Sequence, residues 1–115
     1  MKEEYMLYGK CPYVTAQKLL SGKWTILIIY YLSHGVLRFG ELQRKMEGIT
    51  QATLTKQLRT LEEHGLISRK VYPEVPPKVE YSLTNIGIEF IPVLDQFKVW
   101  GEKCIAALNR DKVIK

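Results

Sequence analysis

Between Thr50 and Gly65 the chain sets Leu54, Leu58 and Leu61 at i, i+4 and i+7, the spacing that aligns one apolar face of a helix. Thr50 stands where a side-chain oxygen can accept a hydrogen bond from a free N–H of the first turn, and Gly65 is a stop signal. The stretch just before has a similar period. Phe39, Leu42 and Met46, at i, i+3 and i+7, predict a helix over residues 38–46. Glu47-Gly48-Ile49 joins the two, and Gly48 can take the positive φ that so tight a connection needs. Two helices across a short turn make a helix-turn-helix pattern over residues 38–64.

After Gly65 the period drops to two. Ile67, Arg69 and Val71 alternate with Ser68, Lys70 and Tyr72; Val79, Tyr81 and Leu83 alternate with Glu80, Ser82 and Thr84. Pro73-Glu74-Val75-Pro76-Pro77 lies between, so residues 67–84 predict a hairpin around a stiff loop. A hairpin directly after a helix-turn-helix is a wing. Upstream, residues 14–20 predict a short helix. After Gly22, residues 23–33 predict a second one, apolar on almost all sides and therefore expected to be buried; Gly35 follows as its stop. Downstream, residues 85–110 read as one long helix capped by Thr84, with Pro92 predicting a kink near Ile88. The expected architecture is mainly α with a small β-hairpin: one winged helix-turn-helix domain over residues 1–115, with helices flanking it at both ends.

The long helix carries a second message. Ile86, Phe90, Val93, Leu94, Phe97, Trp100, Cys104 and Leu108 recur at three- and four-residue steps over about six turns, a longer stripe than a small domain needs for its own core. A homodimer built on Phe90, Val93, Leu94, Phe97, Trp100 and Cys104 is expected.

Charge narrows the class. Seventeen Lys and Arg stand against 12 Asp and Glu. The excess is +2 over residues 1–37, +3 over residues 38–78 and zero beyond, so the helix-turn-helix and wing form the more basic part. The nearly apolar run from Trp24 to Leu32 is about half the roughly 20 residues that a spanning helix needs, and the acidic start at residues 1–5 does not read as an export signal. No membrane association is expected, and two widely spaced cysteines read as reduced cytoplasmic thiols. No spacing resembles a zinc motif, a phosphate loop or a nucleophile elbow. Neither metal, cofactor nor catalysis is expected, and the reading as an accessory domain of an enzyme is set aside because a chain this short leaves no room for the enzyme. His34 and His64 stand beside helix-ending glycines, where a cationic side chain suits the local dipole. Trp24 and Trp100 read as core or interface residues.

With the leucines of residues 50–64 turned inward, Ala52, Lys56, Arg59 and Glu63 fall on the far side, flanked by Thr55 and Thr60. Such a face fits a major groove, where Gln51 and Thr55 can hydrogen-bond base edges and Lys56 and Arg59 can reach guanine or phosphate. Glu62 and Glu63 would repel phosphates, which limits the contact to the first two turns. Taken alone, these charges read more readily as a solvated helix face than as a DNA contact. The wing cations Arg69, Lys70 and Lys78, with Arg38 at the start of the motif, favour the DNA reading because they stand where neighbouring phosphates would run.

The stretches Gly22-Lys23-Trp24, Arg38-Phe39-Gly40-Glu41-Leu42, Gly48-Ile49-Thr50, Leu61-Glu62-Glu63-His64-Gly65-Leu66 and Val75-Pro76-Pro77-Lys78-Val79-Glu80-Tyr81-Ser82-Leu83-Thr84 resemble the HxlR-type family of bacterial winged-helix regulators, relatives of the MarR type. The likeness runs from Cys11-Pro12 to Trp100-Gly101. It implies a cytoplasmic homodimer that binds double-stranded operator DNA and regulates transcription, with dimer contacts from the N-terminal segment and the C-terminal helix. The competing reading is a winged helix used only for protein–protein contact.

Cys11 lies beside Lys10, and a neighbouring cation favours the reactive thiolate. Some members of the family it resembles sense oxidants or quinones through a cysteine at this place; others carry it with no such role. Cys11 is accordingly either a thiol switch or a packed structural residue, and Cys104 reads as a small buried hydrophobe that could serve as a second thiol. A small-molecule inducer is the other candidate signal.

Overall fold

The computed structural model describes residues 6–114; the start at residues 1–5, read above as no export signal, lies outside them. The order is α1 (Pro12–Leu19), α2 (Thr25–Leu32), β1 (Leu37–Arg38), α3 (Phe39–Lys45), α4 (Gln51–Glu63), β2 (Ile67–Tyr72), β3 (Lys78–Leu83), α5 (Asn85–Glu89) and α6 (Ile91–Ile114). It is a winged helix: α3, a tight turn and α4, followed by the β2–β3 hairpin.

Local chemistry sets these boundaries. Pro12 opens α1 at its first position, where a missing N–H costs nothing. Thr50 Oγ1 accepts from Thr53 N at 3.1 Å and so caps α4, and Gly48, at φ 91°, supplies the turn before it. The leucine faces then meet in one core. Ile28, Ile29 and Leu32 of α2 pack with Leu42 and Met46 of α3 and with Leu54, Leu58 and Leu61 of α4; Ile49, Leu66, Ile67 and Leu94 complete it. Each fully buried leucine or isoleucine contributes about 1.5–3 kcal/mol, so this cluster fixes how α4 is presented.

The sheet has a strand that the sequence pattern does not reveal. Its order is β1-β3-β2, all antiparallel, and β1 pairs Leu37 with Tyr81 and Arg38 with Glu80. Two residues are too few to display a period. In the hairpin Ile67 faces Leu83, Arg69 faces Tyr81 and Lys70 faces Glu80.

Two expectations need correction. Residues 85–110 do not form one helix kinked near Ile88. Helix α5 ends at Glu89, the chain turns at Phe90, and α6 starts at Ile91 and runs to residue 114. Pro92 has no N–H to give the Ile88 carbonyl. The Phe90 N–H instead closes a tighter turn on Gly87 O at 3.1 Å, and Pro92 falls in the first turn of a new helix. Nor is α2 buried all round: Thr25, Ile28, Ile29 and Leu32 are inside, but Leu27 and Tyr30 are exposed. Apolar character on every side marks faces that can be covered, whether by the chain's own core or by something outside it.

The wing, α4 and α5 meet at one junction. Thr84 Oγ1 donates to Gly65 O at 2.6 Å and accepts from Gly87 N at 3.2 Å. Gly87 lies so close to the Leu66 carbonyl that a Cβ would collide with it. No helix of the described residues is long and apolar enough to cross a membrane.

Candidate nucleic-acid interface

The outward side of α4 is a shallow concavity lined by Thr50, Gln51, Ala52, Thr55, Lys56, Arg59, Thr60 and Glu63. Gln51, Lys56 and Arg59 are exposed and engage in no ion pair among the described residues. Thr55 is half-buried, and its hydroxyl donates to Gln51 O at 2.8 Å. Thr60 does the same to Lys56 O at 3.0 Å. Both hydroxyl protons are thus engaged within the helix, and each oxygen keeps only acceptor capacity for a ligand.

Alternation in the strands sorts the wing cations into two sets. Arg69 shares the inner face with Ile67, Tyr81 and Leu83. It turns toward the end of α4, where its Nε lies 3.4 Å from Glu62 Oε2. With both groups more than a third exposed, such a pair is worth about 0–1 kcal/mol. Tyr81 sits beside it, and burial, aided by the Glu62 charge, pushes its hydroxyl up from the ordinary tyrosine value while Arg69 and Arg59 oppose that shift.

Lys70 and Lys78 occupy the outer face. Register places Arg38, Glu80 and Lys70 side by side across the three strands. Lys78 Nζ is 3.5 Å from Glu80 Oε2, and the Tyr72 hydroxyl donates to Glu80 Oε1 at 2.7 Å. That hydrogen bond, helped by the Lys78 and Lys70 charges against the cost of desolvation, holds the Glu80 carboxyl below its ordinary value. Tyr72 also receives both lysines, with Lys70 Nζ and Lys78 Nζ each 4.8 Å from its ring centroid. Sequence reasoning counts the cations but passes over Tyr72 and the two carboxylates that partner them. The period-two pattern already contains the sorting, whereas the Tyr72–Glu80 contact depends on hairpin register.

Arg38 stands in β1 just before α3, with its backbone N–H donating to the Glu41 carboxylate at 2.8 Å and its side chain exposed. Arg38 therefore shares the wing's outer face with Lys70 and Lys78, while α4 and Arg69 form a separate surface on its inner side.

The stripe of α6 divides as well. Leu94 turns inward and is only 8% exposed. Phe90 is half-buried and packs on Phe97 at 6.1 Å between ring centroids. Val93, Phe97, Trp100, Ile105 and Leu108 are exposed, Trp100 by 65%. Phe97 also borders an apolar groove shared with Leu27 and Tyr30 of α2. Cys11, at the N-cap of α1, and Cys104 are half-buried free thiols.

Residues 19–109 match the family model described as HxlR-like helix-turn-helix. The HTH-type transcriptional regulator YybR of Bacillus subtilis is 45% identical over 114 residues, covering 96% of this chain and 87% of its own. The reduced form of the redox regulator HypR superposes with a TM-score of 0.81 at 42% identity, over 86% of this chain and 98% of that one. The reduced form of the transcriptional regulator YodB from B. subtilis gives 0.72 at 35% identity, over 81% and 92%.

Proposed function

The chain belongs to the HxlR-like helix-turn-helix family of transcriptional regulators, and from that premise we propose that it binds double-stranded operator DNA as a cytoplasmic homodimer. The single observation that carries the reading is the outward row of α4, where Lys56 and Arg59, in no ion pair among the described residues, follow the exposed Gln51 on a helix whose opposite side is locked into the core. In the major groove, Gln51 and the Thr55 oxygen read base edges, while Lys56 and Arg59 take guanine or phosphate. Arg69 approaches the backbone from beside α4, and Arg38, Lys70 and Lys78 approach it from the outer side of the wing.

The partner is a second copy. Val93, Phe97, Trp100 and Leu108 form an exposed apolar row. The radius of gyration, 16.7 Å, also exceeds the about 13–14 Å that a compact chain of this length would have. Pairing along α6 buries that row, and two-fold symmetry sets the two α4 helices about 34 Å apart, or a multiple of that, for an inverted-repeat operator.

Cys11 is the proposed oxidant-responsive thiol. Its support is the likeness to HypR, described as a redox regulator, together with its position beside Lys10 at the N-cap of α1. The test is operator binding by the parent and by Cys11→Ser, each with and without a thiol oxidant or a quinone; equal responses leave Cys11 structural and turn the search toward a small-molecule inducer. For DNA binding itself, fragments selected from the source genome supply the operator. Lys56→Ala then lowers affinity and reduces the log–log salt slope by about 0.9. A parent protein that retains no fragment at low salt refutes the reading and leaves a protein–protein module.

A further inference from the structure

We propose that Tyr72 is a positioning residue for DNA binding: its ring, held at the edge by Glu80, keeps the Lys70 and Lys78 ammonium groups together on the outer face of the wing, ready for phosphate. The inference rests on the DNA-binding reading above and adds to it a residue that itself carries no charge.

The geometry has three parts. Both ammonium nitrogens lie 4.8 Å from the ring centroid, close enough for the ring's negative face to attract each. The Tyr72 hydroxyl donates to Glu80 Oε1 at 2.7 Å, and Lys78 Nζ reaches Glu80 Oε2 at 3.5 Å. One carboxylate therefore fixes the ring and one of the cations. Finally, strand alternation points Lys70, Tyr72, Lys78 and Glu80 the same way.

Two lysines and one glutamate leave this face with a net positive charge. Like charges gathered around one ring repel, and free lysine side chains would spread apart into solvent. The ring and the carboxylate oppose that spreading. A phosphate that meets cations already gathered does not have to order two four-carbon stems, which is the usual entropic cost of binding through lysine. Tyr72 thus acts through the lysines without needing to touch DNA, and its loss should lower affinity while leaving the number of neutralised phosphates unchanged.

The test uses the full chain, a fluorescent duplex of the selected operator, and anisotropy titrations across salt concentration. Tyr72→Leu should weaken binding roughly three- to tenfold with a salt slope close to the parent's, whereas Lys70→Ala and Lys78→Ala should each flatten the slope by about 0.9. Tyr72→Phe, which keeps the ring, should restore most of the affinity. In a Lys70→Ala/Lys78→Ala background, Tyr72→Leu should have no further effect, because the coupling between these sites is what the proposal asserts. In the free protein, the Cε protons of both lysines should resonate upfield from the ring current, and that shift should vanish in Tyr72→Leu. Unshifted lysine signals in the parent overturn the proposal, as does an equal loss from Tyr72→Leu with and without the lysines. A parent that binds no duplex defeats the DNA-binding reading itself, a result distinct from a parent that binds and a Tyr72→Leu variant that binds equally well.

Discussion

The Thr25 hydroxyl, itself buried, donates to the Gln57 side-chain oxygen at 3.2 Å, joining the first turn of α2 to the second turn of α4. The helix that presents Lys56 and Arg59 is therefore held on its inner side by a polar contact as well as by leucines. Gly22 closes the same spot, since a Cβ there would run into both Gln57 Oε1 and Thr25 Oγ1.

Gly22→Ala is accordingly expected to displace the Gln57 carboxamide and break this hydrogen bond that ties α4 to α2, at the cost of about 1–3 kcal/mol. Thr25→Val removes the donor and should cost about 1 kcal/mol, because Gln57 is only half-buried and water can partly replace the lost partner. Thermal melts check both, with the larger fall expected for Gly22→Ala. Operator affinity should drop with it although neither residue faces outward, and an unchanged melting temperature in both variants would refute the linkage.

Glu62 tests whether the wing's inner cation is restrained. Arg69 must leave the Glu62 carboxylate to engage a phosphate fully. Glu62→Gln removes that competitor and one repelling charge, so duplex affinity should rise and the salt slope should steepen by up to about 0.9. Stability should stay within about 0.5 kcal/mol, since the pair is exposed. Weaker binding by this variant would mean that Glu62 orients Arg69 instead of restraining it.

Some of this arrangement is legible in residue spacing and some is not. Leu54, Leu58 and Leu61 declare α4, and Ile67 to Tyr72 against Val79 to Leu83 declare the hairpin, because each period is sustained long enough to be seen. Leu37 and Arg38 are too short a pair to announce β1, which only the register with Tyr81 and Glu80 defines. Pro92 signals an interruption, but the sequence alone does not tell a kink from a restart; the turn at Phe90 decides it. Arg69 and Lys70 look like one basic pair in sequence, yet neighbouring strand residues point to opposite faces. Leu94 shares the period of Phe97 and Trp100 but reaches inward from α6 to the core. A stripe of helical period identifies an apolar face without saying how much of it the chain covers itself.

Glu80 gives the wing a pH signature. The Tyr72 hydroxyl bond, and then the lysine charges, hold its carboxyl below the ordinary 4.5. A carboxyl lowered on folding contributes stability that is present above its unfolded value and lost as pH falls through the folded one. The cluster should therefore stay unchanged from neutral pH down to about the ordinary carboxylate value and come apart only at more acidic pH. Carboxyl-detected NMR titration checks this, and Tyr72→Phe should bring the Glu80 midpoint back toward the ordinary value. A midpoint that does not move with that substitution would show that the hydroxyl is not the main cause.

Trp100 tests the dimer. It is 65% exposed on α6 and belongs to the row that includes Val93, Phe97 and Leu108. An indole so open to water on a long helix contributes little to the fold of one chain, but covered by a partner it can anchor an interface, where Trp is among the residues most costly to truncate. Trp100→Glu should therefore leave the isolated chain's helix and sheet content intact and raise the dimer dissociation constant by about a hundredfold or more, since it also buries an unpaired charge. Sedimentation velocity at micromolar concentration reads the outcome directly: a dimer for the parent and a monomer for the variant. The two forms should also differ in fluorescence, best read in a Trp24→Phe background, with emission shifting to the red as the parent is diluted through its dissociation constant. Because half of a two-fold site binds far more weakly than the whole, the monomeric variant should lose most operator affinity while keeping the unaltered face of α4. A parent that sediments as a monomer at these concentrations would remove α6 as a dimer interface, and with it the expected spacing of the two recognition helices.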